Sequence, residues 1–488
     1  MGARVPGRPD LEGAQALTRL RLVALGASVA IAIAALAVAA RSDDAPPGRG
    51  DPSPGAPNLV VVVTDDQSIG SLRGRPEAMP WLADRLDEPG WTTFTNTVVS
   101  TPMCCPSRAT ILTGRYARRT GVTSNAEAGA LDASDTLAVW LHDAGYRTGL
   151  VGKYLNGYPW ADEALVPPGW DRWFAKLNVT QETTYVGYDV VDDGVRSTVG
   201  DGPEDYATDR IAAEAASFVR DAPADRPFFL YVAPSAPHYP WTPAARHEGL
   251  LDGADVPVPT AGRLAAMNDV AGLPGWARSL PPVHAAHARR LAVDRVRERV
   301  ALRAVDDAVR AIWREVAARG ETDRTVLVLL SDNGFSYGER RWVGKACPWE
   351  ACLRVPFVAH VPGTPGGVAD ELVANVDVAP TLAALAGVDA PPVDGLSLLP
   401  LLRGEGRRLG RDAVFIDWSG RGPAEAWEGV RLADAVFVRH ADGTVELYDL
   451  AADPRERRNL AADPSASALR TRAERLLDGF VADLGAGR

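Results

Sequence analysis

Two pairs of oxygen-bearing side chains stand at the ends of apolar runs in this sequence. "NLVVVVTDD" ends in Asp65 and Asp66, and "TVLVLLSDNG" carries Asp332 and Asn333 near its end. Carboxylate and amide oxygens are the ligands that hard cations such as calcium and magnesium prefer, and they suit zinc poorly. One aspartate after a strand is more often a turn or cap residue, but two such pairs together favour a metal site.

The stretch "TPMCCPSRATILTGRY" holds two of the four cysteines of the chain, Cys104 and Cys105. Neighbouring cysteines can bridge one another only with strain. Pro106 suits the first position of a helix and Gly114 suits a helix end, which places Cys104 at or just before a helix N-terminus, where amide donors favour an anion. Arg108 has forked donors for a tetrahedral oxyanion. The residues alone leave Cys104 either a reactive thiol or a buried structural cysteine.

The elements that position these groups are predicted by apolar patterning. Besides the two runs above, "RTGLVGKYLNGY" carries Lys153 and "FFLYVAPSAPH" ends in His238. Continuous Val, Leu and Phe runs are typical of strands buried on both faces of a mostly parallel sheet. Helical patterns alternate with them, as in "DTLAVWLHDAG" and "DRIAAEAASFVRDA". Ligands gather beyond the carboxyl ends of such strands, so both acidic pairs, Lys153 and His238 are expected at one edge of the sheet.

The remaining patterns are less informative about chemistry. A long helix is predicted before the fourth strand, and its "RVRERV" segment is expected to be a solvated face with paired charges. The Pro-, Gly- and Ala-rich residues 241–282 are expected to form loops around the site. The net charge of −11 argues against a nucleic-acid partner, and 46% hydrophobic with 24% charged residues is an ordinary globular balance.

The N-terminal segment predicts export. Arg19 and Arg21 precede the uncharged run "LVALGASVAIAIAALAVAA" at 22–40, which is about long enough to span a bilayer. The small residues "AVA" near its end also suit cleavage, so a signal peptide and an uncleaved anchor both remain open. Either way the body is expected to be extracytoplasmic, secreted or anchored to the cell membrane by 22–40, with no other membrane contact.

With these features together, the sequence resembles the sulfatase family. "CCPSRATILTGR" is similar to the signature C-x-P-S-R-x-x-x-x-T-G, whose first cysteine is oxidised to formylglycine. "NLVVVVTDD" and "SDNG" resemble the two metal pairs of the family, and "APSAPH" resembles its middle histidine motif. "GKACPWEACLRVP" resembles the lysine segment and "ELYDLAADPRERRNL" the C-terminal motif. The paired cysteines and "GKYLNGY" resemble the branch of N-acetylglucosamine-6-sulfatases and related heparan-type sulfatases.

The resemblance implies a fold and an activity. The fold is an alkaline-phosphatase-like α/β/α sandwich with a large, mostly parallel mixed sheet, plus a smaller C-terminal subdomain with an antiparallel sheet. The activity is hydrolysis of sulfate monoesters on a sulfated small molecule or glycan, most closely a carbohydrate or amino sugar. Cys104 would become formylglycine (3-oxoalanine) through a formylglycine-generating enzyme. One hydroxyl of its hydrate would attack sulfur, and the second would then expel sulfate and restore the aldehyde.

Two groups of residues carry over at the matching motif positions. The implied calcium ligands, which would also suit magnesium, are Cys104 after modification with Asp65, Asp66, Asp332 and Asn333. The residues implied around the sulfate ester are Arg108, which would stabilise the hydrate, and Lys153, His238 and Lys345. Many sulfatases read G-K-W-H-L-G, but "GKYLNG" places Leu155 where that histidine would help to release sulfate. The base of the second step therefore stays open.

The other two cysteines and the domain limits follow from the same resemblance. If Cys104 is consumed by modification, a local Cys347–Cys352 disulfide is favoured in an exported chain, closing the loop behind Lys345, and Cys105 is then a small buried side chain. Residues 1–40 would be a cytoplasmic N-terminus with the signal segment, and 41–57 a Pro/Gly-rich linker. Residues 58–405 would form the sulfatase catalytic domain and 406–488 the C-terminal subdomain.

Two other functions remain open at this stage. One is that of a phosphonate monoester hydrolase or phosphodiesterase, because some relatives with this nucleophile act on phosphorus. The other is that of a non-catalytic cell-surface protein that binds sulfated glycans without turnover. Fold alone does not decide among the three functions.

Overall fold

The computed structural model describes residues 50–72, 77–160, 166–177, 184–405, 408–421 and 424–486. The predicted signal or anchor segment at 22–40 and the linker up to residue 49 lie outside the described residues. Within the described ranges, no helix has the length and apolar character that crossing a membrane requires.

The strands of the described chain are β1 (Asn58–Thr64), β2 (Trp91–Phe94), β3 (Thr97–Val98), β4 (Arg147–Lys153), β5 (Arg172–Lys176), β6 (Asp189–Asp192), β7 (Val195–Thr198), β8 (Phe228–Ala233), β9 (Thr325–Ser331), β10 (Ser336–Tyr337), β11 (Val343–Gly344), β12 (Phe357–His360), β13 (Gly367–Ala369), β14 (Val373–Ala374), β15 (Val414–Trp418), β16 (Trp427–Arg431), β17 (Ala435–His440) and β18 (Val445–Asp449). The α-helices are α1 (Pro80–Ala83), α2 (Cys104–Thr113), α3 (Ala117–Thr120), α4 (Leu137–Asp143), α5 (Ala207–Arg220), α6 (Gly249–Asp252), α7 (Ala261–Met267), α8 (Gly275–Arg278), α9 (Ala285–Ala318), α10 (Glu350–Leu353), α11 (Val378–Ala386), α12 (Leu399–Leu402) and α13 (Ser467–Ala486).

The four predicted apolar runs form the centre of the main sheet. Its strand order is β13-β2-β12-β9-β1-β8-β4-β5-β6-β7, and β9, β1, β8 and β4 are mutually parallel. Alternate side chains of β1 enter different cores: Leu59 and Val61 face one core, Val60 and Val62 the other. The first core includes side chains of α2, α4 and α11, and the second those of α1, α5 and α9. The predicted α/β/α sandwich with a mostly parallel mixed sheet is confirmed.

Three details differ from the predictions. Pro106 is the third residue of α2, not the first, because the whole first turn tolerates a residue without an N–H. Residues 241–282 are not only loops but include α6, α7 and α8. Helix α7 has a local cause, since the side chain of Thr260 accepts a hydrogen bond from the backbone N–H of Arg263.

The C-terminal strands form the predicted antiparallel sheet, in the order β15-β16-β17-β18. This sheet packs against the segment that leads into α2, because the backbone N–H of Asp417 donates to the carbonyl of Ser100 at 2.9 Å. The Trp427 indole donates to the Ala346 carbonyl at 3.0 Å. Residues 50–488 form one compact unit, and the division after residue 405 stays a prediction.

A buried acidic group lies where the C-terminal segment meets α10. Glu456 is 4% exposed, and its Oε2 accepts a hydrogen bond from the backbone N–H of Glu350 at 3.1 Å. Burial raises the pKa of Glu456 to about 8, with Arg340 opposing the shift and Glu350 adding to it. The folded protein therefore holds this carboxyl group protonated at neutral pH.

We expect Glu456→Gln to stabilise the fold at pH 8.5 by on the order of 2 kcal/mol and to change it little at pH 5. The unfolded glutamate ionises near its ordinary pKa of 4.5, whereas the folded one keeps its proton up to about pH 8. The folded state thus binds the extra proton in this window, and wild-type stability falls as pH rises through it. Urea denaturation at both pH values measures the effect, with Glu425→Gln as the exposed control. Equal effects at the two pH values would contradict a raised pKa.

Candidate active site

The two oxygen-bearing pairs meet at the carboxyl edge of the main sheet. β1 and β9 are adjacent and in register, with Thr64 opposite Ser331, so the residues that follow them emerge side by side. The backbone N–H of Asp66 donates to Asp332 Oδ1 at 3.1 Å, and Asn333 Nδ2 donates to Asp66 Oδ1 at 2.7 Å. Asp66 has a φ of 64°, a strained conformation for a residue with a side chain. Such strain is retained where the surrounding contacts impose it.

Cys104 is the first residue of α2, next to the acidic pairs. It is 1% exposed, its Sγ accepts from Lys345 Nζ at 2.8 Å, and it donates to Asp65 Oδ1 at 3.5 Å. Helix α2 ends at Gly114 with φ 68°, the left-handed conformation that glycine adopts at helix ends. Burial raises the pKa of the Cys104 thiol to about 12, although Lys153 and Lys345 oppose the shift. The thiol is therefore neutral at physiological pH.

Arg108 lies one turn further along α2 and is fully buried. Its Nε donates to Asp332 Oδ2 at 2.8 Å, and its Nη1 donates to the carbonyl of Lys153 at 3.2 Å. Its Nη2 is buried and has no hydrogen-bond partner within the described part of the chain. The guanidinium therefore keeps one donor for a further acceptor.

Lys153 ends β4 and its ammonium group lies against Asp65, with Nζ 2.6 Å from Oδ2. Gly152 makes this placement possible, because it has a φ of 116° and a Cβ there would lie 2.1 Å from the carbonyl oxygen of Ala233. Burial would lower the pKa of Lys153, but Asp65 reverses the shift and raises it to about 12. Burial would likewise raise the pKa of Asp65, but Lys153 and His238 hold it well below its usual value. Both groups are therefore charged.

Lys345 and His238 lie on the accessible side of the site. Their side chains are 16% and 15% exposed, whereas Asp65 and Lys153 are at most 2% exposed. Lys345 Nζ donates to Asp66 Oδ1 at 2.7 Å, and Asp66 raises the pKa of Lys345 well above its usual value although burial opposes this. His238 Nε2 is 3.5 Å from Asp66 Oδ2, and Nδ1 is 2.7 Å from the carbonyl oxygen of Tyr239. A substrate would meet these two side chains first.

The donor set fits a hard cation. Potential ligand atoms of Asp65, Asp66, Cys104 and His238 lie within 4.8 Å of one another. Asn333 Oδ1 is buried without a hydrogen-bond partner among the described residues, which is the state of an oxygen that serves as a metal ligand. Oxygen donors from two aspartates and an amide are typical of calcium and magnesium sites.

The loop behind Lys345 contains a disulfide between Cys347 and Cys352, with a Cα–Cα distance of 5.6 Å. The indole of Trp342 also donates to the carbonyl of Lys345 at 3.0 Å. The disulfide and this hydrogen bond restrain the backbone that carries the ammonium group. Leu155 is 3% exposed and packs in the core, and its apolar side chain supplies no base.

Two residues near the site were missed by sequence analysis. Lys176 lies opposite Lys153 in the β4–β5 pairing, and burial, together with the charge of Lys153, lowers its pKa to about 8. Glu298, predicted on a solvated face of α9, is instead fully buried and accepts hydrogen bonds from the N–H and Oγ of Ser68, at 2.7 and 2.9 Å. It thus fixes the loop that follows Asp66. The charged neighbours of Glu298 in "RVRERV" made an exposed helix face the simpler prediction. No sequence pattern distinguished Lys176 from other lysines.

This sandwich, with a cluster of potential cation ligands at the carboxyl edge of its sheet, defines a protein of the alkaline-phosphatase-like class. A family model described as Sulfatase matches residues 57–388, and one described as N-sulphoglucosamine sulphohydrolase, C-terminal, matches 338–481. The chain therefore belongs to the sulfatase family.

Individual relatives agree with this assignment. The chain is 32% identical over 383 residues to an extracellular sulfatase SULF-1 homolog of Drosophila melanogaster, covering 75% of this chain and 33% of that protein. It is 30% identical over 388 residues to the N-acetylglucosamine-6-sulfatase of Homo sapiens, covering 75% and 68%. The chain thus spans only about a third of the length of the Drosophila relative. A solved structure in complex with its substrate D-glucosamine-2-N,6-O-disulfate has a TM-score of 0.74 and 25% identity, covering 88% of this chain and 98% of that one.

Proposed function

We propose that the protein hydrolyses sulfate monoesters of an amino sugar or related carbohydrate, with formylglycine derived from Cys104 as the nucleophile. The observation that carries this proposal is the environment of Cys104, which lies at a helix N-terminus between Lys345 and the Asp65 carboxylate. The human relative named as an N-acetylglucosamine-6-sulfatase and the solved complex with a sulfated glucosamine support the substrate class.

The thiol itself is a poor candidate for the nucleophile. A reactive cysteine needs a lowered pKa, so that a thiolate is present near neutral pH. Burial instead raises the pKa of Cys104 to about 12, even with two lysines nearby. A formylglycine hydrate at this position would instead supply one hydroxyl to attack sulfur and a second to expel sulfate.

The proposed metal is calcium, with magnesium as the other candidate, and its ligands would be the modified Cys104 with Asp65, Asp66, Asp332 and Asn333. When bound, the ion would supply positive charge that stabilises the anionic oxygens of the sulfate group.

The charged side chains have separate proposed roles. Lys153 and Lys345 would offset the negative charge that a sulfate monoester presents to an attacking nucleophile. Arg108, with one unpartnered donor, would hold a hydroxyl of the hydrate. His238 and Lys345 are the candidates for protonating the leaving alcohol, because both lie on the accessible side. His238 also lies within 4.8 Å of Cys104 Sγ, so it is our candidate for the base that Leu155 does not supply.

The same proposal includes maturation and location. Cys104 would be converted by a formylglycine-generating enzyme, and the body would act outside the cytoplasm, secreted or anchored through residues 22–40. The relative named as an extracellular sulfatase supports this location.

Mass spectrometry and paired assays test the proposal. The tryptic peptide ending at Arg108 is expected to be about 18 Da lighter than the unmodified form, the change from thiol to aldehyde. N-Acetylglucosamine-6-sulfate and p-nitrophenyl sulfate are expected to be hydrolysed faster than p-nitrophenyl phenylphosphonate. A preference for the phosphonate would favour the phosphonate monoester hydrolase instead. An unmodified thiol without turnover of any of the three would favour the non-catalytic glycan binder.

A further inference from the structure

A cavity of about 910 Å³ lies beside the candidate active site and contains none of the residues proposed above for catalysis or metal binding. Its wall includes Ser68, which follows Asp66 closely in the chain, and Phe335, which follows Asn333. Both segments leave the carboxyl edge of the main sheet, so the cavity lies at the same edge as the site. Its volume is in the upper part of the usual range for ligand-binding sites.

An apolar cluster connects the wall of this cavity to the segment that follows His238. Trp241, close to His238 in the chain, packs against Phe335 with ring centroids 5.8 Å apart. Phe335 and Met267 belong to this cluster and also line the cavity. The cavity therefore adjoins the segment that carries His238.

The rim of the cavity is basic, although the chain as a whole carries a net charge of −11. Seven arginines and five acidic residues line the cavity, and two of the arginines, Arg295 and Arg354, are paired with acids of the same lining. Arg263, Arg455 and Arg457 differ, because they are exposed and their guanidinium groups have no partner within the described residues. These three cations are therefore available to an anionic ligand.

The deeper wall of the cavity is more apolar than its rim. Phe335 and Met267 are apolar and 8% and 6% exposed, whereas Trp349 is 2% exposed and lies against Trp276 and the Arg340 guanidinium. Apolar and aromatic surface suits the C–H faces of sugar rings. A cationic rim above such a wall suits sulfate or carboxylate substituents on the same sugars.

We propose that this cavity is a secondary binding site for a sulfated polysaccharide, holding a part of the chain away from the ester that is hydrolysed. Arg263, Arg455 and Arg457 contact sulfate or carboxylate groups, and the apolar wall at Phe335 and Met267 contacts the sugar rings. The substrate class rests on the proposed function, but binding at this cavity needs no turnover. A small aryl sulfate carries one anionic group and no sugar ring, so it has nothing with which to contact the cavity while its ester is in the reaction site.

Calorimetric titration with a heparin octasaccharide tests the proposal in a Cys104→Ala background, which removes the thiol that would be modified. Adding Arg263→Ala, Arg455→Ala and Arg457→Ala is expected to weaken binding at least about tenfold, since each exposed charge contact contributes a few-fold. The matched control removes three exposed arginines outside the cavity, Arg196, Arg314 and Arg475, and is expected to keep binding within about twofold. Equal weakening in the two triple variants, or no weakening in the first, would overturn the proposal.

The same titration with the fully desulfated octasaccharide tests the chemistry of the ligand. Binding is expected to be lost on desulfation, and to weaken as NaCl rises, because the contacts are between exposed charges. Equal binding of the desulfated chain would contradict a site for sulfated glycans. Melting temperatures of all variants verify that the exposed substitutions leave the fold intact.

Kinetics separate this inference from the proposed function. With Cys104 intact, the ratio of kcat/KM for a sulfated oligosaccharide to that for p-nitrophenyl sulfate is expected to fall about tenfold in the cavity triple variant. If neither substrate is hydrolysed but octasaccharide binding still depends on the three arginines, the proposed function fails and the binding site stands. If both substrates are hydrolysed and the ratio is unchanged, the binding site fails and the proposed function stands.

Discussion

Cys104→Ala is expected to lower kcat/KM for sulfate-ester hydrolysis by at least about 10⁴-fold, the scale seen when a catalytic nucleophile is removed. Alanine cannot be converted to formylglycine, so no hydrate forms at the N-terminus of α2. The site that remains would still bind a sulfate group through Lys153 and Lys345 on the proposed function, and KM is therefore expected to change less than kcat. Steady-state kinetics with N-acetylglucosamine-6-sulfate measure both parameters.

Cys105→Ala is the matched control. Both cysteines are at most 1% exposed, and Cys105 Sγ accepts a hydrogen bond from the backbone N–H of Asn156 at 3.1 Å. The control therefore removes an equally buried thiol from the same turn of α2 but leaves the nucleophile. It is expected to lose some stability and to keep kcat within about tenfold.

One outcome of these kinetics would contradict the role of Cys104. Cys104→Ala protein that melts like the control yet keeps more than a hundredth of wild-type kcat would exclude Cys104 as the source of the nucleophile. A Cys104→Ser variant adds a further comparison, because serine supplies one hydroxyl where the hydrate would supply two. One turnover at most is expected from it, since the second hydroxyl that expels sulfate is absent.

The centre of the fold was predictable from the sequence because its signals are local. The run "NLVVVVTDD" contains both a strand buried on two faces and the acidic residues at its end. The rule that ligands gather at carboxyl ends of parallel strands then places Asp65, Asp66, Asp332 and Asn333 together. The structure brings these four together as expected.

The edges of the sheet and the supports of the site were not predictable in this way. β7 is exposed along its whole length, so no apolar pattern marks it. Lys176 owes its lowered pKa to its register opposite Lys153, and Glu298 owes its burial to the Ser68 loop, more than two hundred residues earlier. Pairings between distant segments decide these environments, and single-sequence patterns do not contain them.

Asp332→Ala is expected to destabilise the folded protein by about 3–5 kcal/mol in the presence of a chelator. Asp332 is the hydrogen-bonded counter-charge of Arg108, at 2.8 Å, and both side chains are fully buried. Removing the carboxylate leaves a guanidinium without compensation in the interior, where solvation is poor. Equilibrium urea denaturation measures the loss.

A double variant identifies the cause of that loss. Arg108→Met combined with Asp332→Ala removes both charges, and it is expected to recover on the order of 2 kcal/mol relative to Asp332→Ala alone. If the loss came from packing around Asp332 instead, adding Arg108→Met would destabilise further. A double variant less stable than Asp332→Ala would therefore contradict the buried-charge explanation.

Adding calcium distinguishes the two roles of Asp332, as the partner of Arg108 and as a proposed metal ligand. A ligand at about one hundred times its Kd stabilises the folded state by about 2.7 kcal/mol, and the wild type is expected to gain this amount when calcium is added. Both variants lack the Asp332 carboxylate, so neither is expected to gain it, although the double variant recovers stability under chelation. If the double variant regains stability under chelation but does not respond to calcium, Asp332 has two roles, as the partner of Arg108 and as a metal ligand. Apolar packing can replace the ion pair, but it cannot replace a metal ligand. A full calcium response in the double variant would instead remove Asp332 from the ligand set.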